Sequence, residues 1–265
     1  MIIDASAYIG RWPFAPLGYE SAEDLLRLMD RSGVDKAVLT SLNSIFYYDA
    51  EIGNREVGTA CRQHPDRLIP FATINPNLPR WREHLAACVE DYGARGIRLH
   101  PDFHKYSLLA DHQMPDVGGL MAEAAQRKLP VFIQTSILDL RHYPGYCMVD
   151  EVPIAQVAQA IERYRDNTFI VGGGRWFRAR ANDLIKYARA ANLTNYYIAT
   201  DGLGGYWDGL GSFVKQIGSE HLLFSTRAPI LYGEAAKLVV ETSEISAEDR
   251  AAILGGNAAR LLGLA

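Results

Sequence analysis

The sequence predicts an α/β fold, a (β/α)8 TIM barrel, on three observations. Short apolar runs rich in β-branched residues alternate with longer helical patterns along the 265 residues. The runs number eight, and they are apolar almost throughout, as parallel strands covered on both faces are. A length near 265 residues is ordinary for one such barrel.

The first strand is expected over 2–5. A helix over 21–31 follows. It opens at Ser21 with Asp24 three residues on, so the Ser hydroxyl can accept from a free backbone N–H. The second and third strands fall at 36–41 and 68–74, and a helix at 81–92 leads to the fourth strand at 96–100. Helix 117–127 then precedes strand 130–134, helix 153–165 precedes strand 168–172, and helix 178–190 precedes strand 196–200. The eighth strand is 221–225, and helices over 234–242 and 247–254 close the chain. These helical stretches place apolar residues three and four apart. An open doubly wound sheet is the alternative. Against it, no glycine-rich phosphate turn follows the first strand, and Gly172-Gly173-Gly174 does not match that motif. With no linker, low-complexity tract or repeat, one domain over 1–265 is expected.

Composition narrows the function classes. A formal charge of −4 leaves no basic footprint for nucleic acid. Apolar runs fall short of the roughly 20 residues of a membrane span. The opening segment has neither the basic start nor the apolar stretch of a signal peptide. Three scattered cysteines, Cys61, Cys88 and Cys147, argue against a disulfide framework and for a reducing, cytoplasmic setting.

Several segments carry a more specific pattern. They are Ile3-Asp4-Ala5-Ser6-Ala7-Tyr8-Ile9-Gly10, Phe71-Ala72-Thr73-Ile74-Asn75-Pro76, Gly93-Ala94-Arg95-Gly96-Ile97-Arg98-Leu99-His100-Pro101, Leu129-Pro130-Val131-Phe132-Ile133, Leu223-Phe224-Ser225-Thr226 with Pro229, and Ile253-Leu254-Gly255-Gly256-Asn257-Ala258-Ala259-Arg260-Leu261. In these segments the chain resembles the amidohydrolase-related family, whose branches include decarboxylases and lactonases. The C-terminal segment is the most specific match. The resemblance implies a barrel with a metal at its mouth, held by His-x-His on the first strand, by histidines ending the fifth and sixth, and by an Asp ending the eighth. Those positions carry Ser6, Tyr8, Gln134, about Gly173, and Arg227. Ser, Tyr, Gln and Gly bring no imidazole or carboxylate, and a guanidinium repels a divalent cation. No metal and no other cofactor is therefore expected. His100, Asp102 and His104 could form a relocated metal site if the segment is extended. The plainer expectation is that Asp102 and His104 are solvated loop residues.

Sites on this fold sit at the C-terminal ends of the strands. That rule gathers His100, Asp201 and Tyr8 as candidates for acid–base work. It also gathers Ser6, Trp12, Gln134, Arg175, Trp176 and Arg227 as candidates for substrate binding. Asp201 has two readings, a general base or a salt-bridge partner for Arg227. The expected function is a metal-independent hydrolase, lactonase or lyase acting on a small anionic, carboxylate-bearing compound, for which the family's metal-free lactonase branch is a precedent. The alternative is an inactive relative that binds a ligand or a protein. Trp12 and Trp176 could instead plug the mouth. Tyr143, Tyr146, Tyr206 and Trp207 lie in glycine-containing loops suited to a lid or to a homo-oligomer interface.

Overall fold

The structure is a computed structural model, and it describes residues 1–47, 49–111, 113–137, 149–174, 177–203 and 209–264. In chain order the elements are β1 (Ile3–Ile9), α1 (Ala22–Ser32), β2 (Lys36–Ser41), α2 (Asn43–Phe46), α3 (Ala50–Gln63), β3 (Leu68–Pro70) and β4 (Ala72–Thr73). Next come α4 (Trp81–Glu90), β5 (Ile97–Leu99), α5 (Pro101–His104), α6 (Val117–Gln126), β6 (Val131–Gln134), α7 (Ile154–Arg163) and β7 (Phe169–Gly172). The last are α8 (Phe177–Ala190), β8 (Tyr196–Ala199), α9 (Gly211–Ile217), β9 (Leu222–Leu223), α10 (Gly233–Thr242), α11 (Ala247–Ala251) and α12 (Asn257–Leu262).

All the strand pairs are parallel, and they run in sequence order. The expected third strand is divided: β3 pairs with β2, and β4 pairs with β5. Phe71, between the halves, still donates its N–H to the Leu39 carbonyl at 3.0 Å. The seam between the last and first strands closes through Ala5 N–H to Phe224 O, Arg227 N–H to Ser6 O and Tyr8 N–H to Ala228 O, each at 2.8 Å. The expected barrel is thus the observed one.

Two apolar layers hold it together. Leu39, Ile97, Leu99, Val131, Ile133, Val171 and Ile198 face outward, against Leu25, Leu120, Val157 and Leu184 of the helices. Ile3, Val38, Ile69, Phe71, Phe132, Ile170 and Leu223 fill the interior, together with Ala258 and Leu262 from α12. Fully burying such an aliphatic or aromatic side chain is worth roughly 1.5–3 kcal/mol.

One irregularity in β1 positions the site. Asp4 pairs with Ala37, but Ala7 pairs with Leu39, so β1 carries an extra residue there. Ile3 and Ala5 pack in the interior layer, whereas Ala7 and Ile9 pack in the outer one. The extra residue makes that switch. Without it, Ala7 would follow Ala5 inward and Tyr8 would turn away from the mouth.

The structure departs from the expectations in a few elements. Helix α1 has the expected Ser21–Asp24 capping box and ends at Gly33 with φ 66°. Helices α2 and α3 were not expected, and in α3 Gly53 and Gly58 weaken the helical pattern. Both glycines are there for space: a Cβ on Gly53 would lie 2.2 Å from Ser44 Oγ, and one on Gly58 would lie 2.5 Å from the Tyr92 ring. The C-terminal segment bends through a π turn at Ala252–Gly256. There a Cβ on Gly255 would meet the Met1 carbonyl at 2.2 Å, and the Asn257 amide donates to the carbonyls of Ser219 and Leu222. That terminal motif is therefore a clasp between the last helix and β9. No helix among the described residues is long and apolar enough to cross a membrane.

Candidate active site

The C-terminal ends of the strands bring Ser6, Tyr8, Arg98, His100, Gln134, Asp201 and Arg227 together, most of them fully buried. Arg98 organises one side. It lies on β5, two residues before His100 and so on the same face. Its Nη2 donates to Ser6 Oγ at 2.7 Å and to Gln134 Oε1 at 2.5 Å. The guanidinium lies over the Tyr8 ring at 4.4 Å and over the Phe132 ring at 4.1 Å. Among the described residues its Nε and Nη1 have no hydrogen-bond partner. Burial lowers its proton affinity, and the nearby Arg227 charge lowers it further, while Tyr8 and Asp201 oppose the shift. A guanidinium nevertheless stays charged. Gln134 is fixed in turn by its amide, which donates to Ser136 O at 2.7 Å. The Tyr8 hydroxyl makes a long 3.4 Å contact with Gln134 Oε1. Burial pushes the Tyr8 hydroxyl well above its ordinary range, so it stays protonated.

Arg227 organises the other side. It follows β9 with φ at 56°, a left-handed conformation that side-chain-bearing residues rarely adopt. Its Nε lies 2.5 Å from Asp201 Oδ2, a charge contact in which neither atom meets hydrogen-bond geometry. Asp201 Oδ1 accepts from Ser225 Oγ at 2.9 Å. Of the two readings of Asp201, the geometry supplies the ion pair. Behind β1, Asp4 accepts from the backbone N–H groups of Ser6 and Thr226 and from the Thr226 hydroxyl. Burial pushes Asp4 up to about 7, although those hydrogen bonds pull the other way.

The His100–Asp102–His104 segment corrects the sequence reading. It is neither extended nor solvated. Pro101 sits in the first turn of α5, and that single turn buries both Asp102 and His104. His100 is fully buried with neither ring nitrogen partnered among the described residues, and burial holds it well below its ordinary value. Burial likewise pushes His104 down to about 4, and pushes Asp102 up to about 7.

Trp12 is buried, but in an aromatic wall rather than alone. It packs edge-to-face on Phe14 and Phe46, which continue to Phe103 with centroids 5.0–5.7 Å apart. Tyr8, Leu42, Ile45 and Ile137 share that cluster. Arg175, Trp176, Tyr143, Tyr146, Tyr206 and Trp207 lie outside the described residues. Sequence reasoning missed Arg98 as a member of the site, and its plainer expectation left Asp102 in solvent where the structure buries it. The two-residue spacing before His100 was the available signal for Arg98, and Pro101 was the signal for the helical turn.

A divalent metal does not fit the described residues of the strand ends. Ser6 Oγ and Gln134 Oε1, two of the replaced ligand positions, both accept from Arg98. At a third, a Cβ on Gly173 would lie 2.1 Å from the Phe177 ring, so no imidazole could project there. At the eighth strand Arg227 brings a positive charge. Among the described residues, the one group of three with metal-ligand spacing is Asp49, Glu51 and His84, whose donor atoms lie within 4.8 Å of one another. They belong to α3, its cap and α4, not to the strand ends.

A family model described as Amidohydrolase matches residues 12–264. No curated protein matches the sequence. Solved structures share the fold over nearly the whole chain. An uncharacterised TIM-barrel protein from Bordetella bronchiseptica is 18% identical with a TM-score of 0.72, covering 99% of this chain and 98% of its own. The 2,6-dihydroxybenzoate decarboxylase from Rhizobium is 18% identical with a TM-score of 0.70, covering 100% and 99%. A dihydroxybenzoic acid decarboxylase from Polaromonas, solved with manganese and the inhibitor 2-nitroresorcinol, is 18% identical with a TM-score of 0.69, covering 99% and 97%.

Proposed function

This chain belongs to the amidohydrolase family, and from that premise we propose that it is a metal-independent hydrolase, lactonase or lyase acting on a small carboxylate-bearing compound at the C-terminal mouth of the barrel. The observation that carries the reading is Arg98. It is a fully buried guanidinium, and among the described residues two of its nitrogens have no partner and its hydrogen bonds go to neutral groups. A buried charge without a counter-ion is costly, and a bound anion relieves it. The planar fork suits a carboxylate.

The other groups take complementary roles. Arg227, tied to Asp201, adds positive field without leaving a second uncompensated charge. Tyr8 keeps its proton and can donate a hydrogen bond to a developing oxyanion. His100 is held neutral and can accept a hydrogen bond at nitrogen. Ser6 and Gln134 orient Arg98. Trp12 and its aromatic neighbours offer a flat apolar wall for the body of the compound. The decarboxylases of the same fold act on carboxylated rings, which supports the carboxylate half of the reading.

The test is calorimetric titration with benzoate, a flat monocarboxylate. Arg98→Met should weaken its binding at least tenfold, about 1.4 kcal/mol. Unchanged affinity in the variant would refute the role. Binding that survives with no turnover across a panel of lactones, amides and aryl carboxylates would instead favour an inactive binding protein.

A further inference from the structure

We propose that Asp102 is the acid–base group of this mouth, the carboxyl that exchanges a proton with the bound carboxylate compound. The inference rests on the reading of the mouth given above, and it names a group that the strand-end rule did not reach.

Position comes first. Pro101 starts α5 directly after the His100 strand end, so Asp102 stands one residue into the turn that roofs β5. The side chain is buried, and its Oδ1 has neither a hydrogen-bond partner among the described residues nor contact with solvent. The backbone amides of Phe103 and of Ile137 lie near enough to the carboxyl to favour its charged form. Ile137 follows β6 and packs with Tyr8 and Trp12, which places Asp102 on the mouth side between strand ends five and six. Tyr8 and Tyr106 both feel its charge. A carboxylate oxygen sealed from water and left unpartnered needs either a proton or a ligand donor.

The rivals are less suited. Asp201 is committed to Arg227 and Ser225. Asp4 has both oxygens occupied behind β1. Burial first, and then the Arg98 charge, hold His100 neutral, so it accepts a proton only with difficulty. Among the described residues, the titratable and charged groups near Asp102 include Lys105, His100 and His104 from its own turn and that turn's caps, Tyr8 from β1 and the Tyr106 hydroxyl. Burial outweighs the Lys105 charge and the backbone hydrogen bonds, holding the carboxyl near 7, where both protonation states are populated.

The step balances simply. The neutral carboxyl gives its O–H proton to the substrate atom that gains an electron pair and is left as a carboxylate. The reverse transfer restores it, and no electrons are exchanged with a third party. An anion bound nearby favours the protonated form, so benzoate should draw a proton from solvent as it binds.

Benzoate titrations at pH 7.5 in two buffers of different ionisation enthalpy read that proton directly. Wild-type protein should take up a fraction of a proton per benzoate. Asp102→Asn should abolish the uptake while keeping the affinity within about threefold, and Asp4→Asn should keep the uptake. No uptake in wild type, or uptake that persists in Asp102→Asn, overturns the assignment alone. Absent benzoate binding, or binding indifferent to Arg98→Met, overturns the reading of the mouth and this inference with it. A second measurement avoids the variant. In wild-type protein carrying carbon-13 aspartate, the infrared carbonyl band of protonated carboxyl should grow on benzoate addition at constant pH. A band that does not grow contradicts the proposal.

Discussion

Arg98 and Arg227 occupy comparable strand-end positions and are both buried, yet they are held in opposite ways. Arg227 has a carboxylate, Asp201, and a backbone N–H that helps to close the barrel seam. Arg98 has two aromatic faces, a serine and a glutamine. One guanidinium therefore belongs to the structure, and the other is the one proposed above to take an anion. The difference shows that residue type and strand-end position do not by themselves assign a role. The partner does.

The largest effect should follow from breaking the Arg227 side. Asp201→Asn leaves a buried guanidinium uncompensated and should cost about 3–5 kcal/mol of stability in denaturant unfolding. A loss below about 1 kcal/mol would mean that solvent reaches the pair, as at exposed salt bridges. Next is the closed metal position. Gly173→Ala must displace the Phe177 ring and should cost about 1–3 kcal/mol. A neutral substitution would show room for a side chain there. The Arg98 side should behave in reverse. Arg98→Met removes a charge that lacks a counter-ion among the described residues, so stability should hold or rise even as benzoate affinity falls. If Arg98→Met is as destabilising as Asp201→Asn, the two sides are not different in kind.

The remaining effect is the pH dependence. Asp4 is raised from 3.8 to about 7 in the fold, so the folded chain binds its proton more tightly than the unfolded chain. That contribution to stability is complete below about 4 and is lost as pH rises through about 7. His104 is lowered from 6.5 to about 4, so its contribution is complete above 6.5 and is lost as pH falls through about 4. Asp4→Asn should therefore gain melting temperature relative to wild type between pH 4 and pH 8. His104→Gln should gain between pH 7 and pH 4. A constant offset in either series would contradict the corresponding burial.

The barrel was legible because its outer and inner layers repeat one pattern of β-branched residues, as in Val131–Gln134 and Phe169–Gly172. Helix α3 was hidden because packing against Ser44 and Tyr92 requires glycines at Gly53 and Gly58, and local propensity does not register tertiary contact. At the site, the replaced ligand positions were readable one residue at a time. The pairing of Arg227 with Asp201 was one of two readings, and only distance separates them. Arg98 was passed over because a charged residue inside an apolar strand gives no sign of which face it takes until β1 supplies Ser6 and Tyr8 through its extra residue. Asp102 was misplaced because a single helical turn started by one proline changes which side chains point inward.

The central claim is that this mouth holds an anion where its relatives' fold holds a metal. The most direct test is the metal content of protein purified without chelators or a metal-binding tag. The account predicts less than about a tenth of an equivalent of zinc, manganese or iron, since among the described residues the strand ends lack the ligand count a structural or catalytic ion needs. Close to one equivalent, retained when His84→Ala removes the surface group of Asp49, Glu51 and His84, would contradict it.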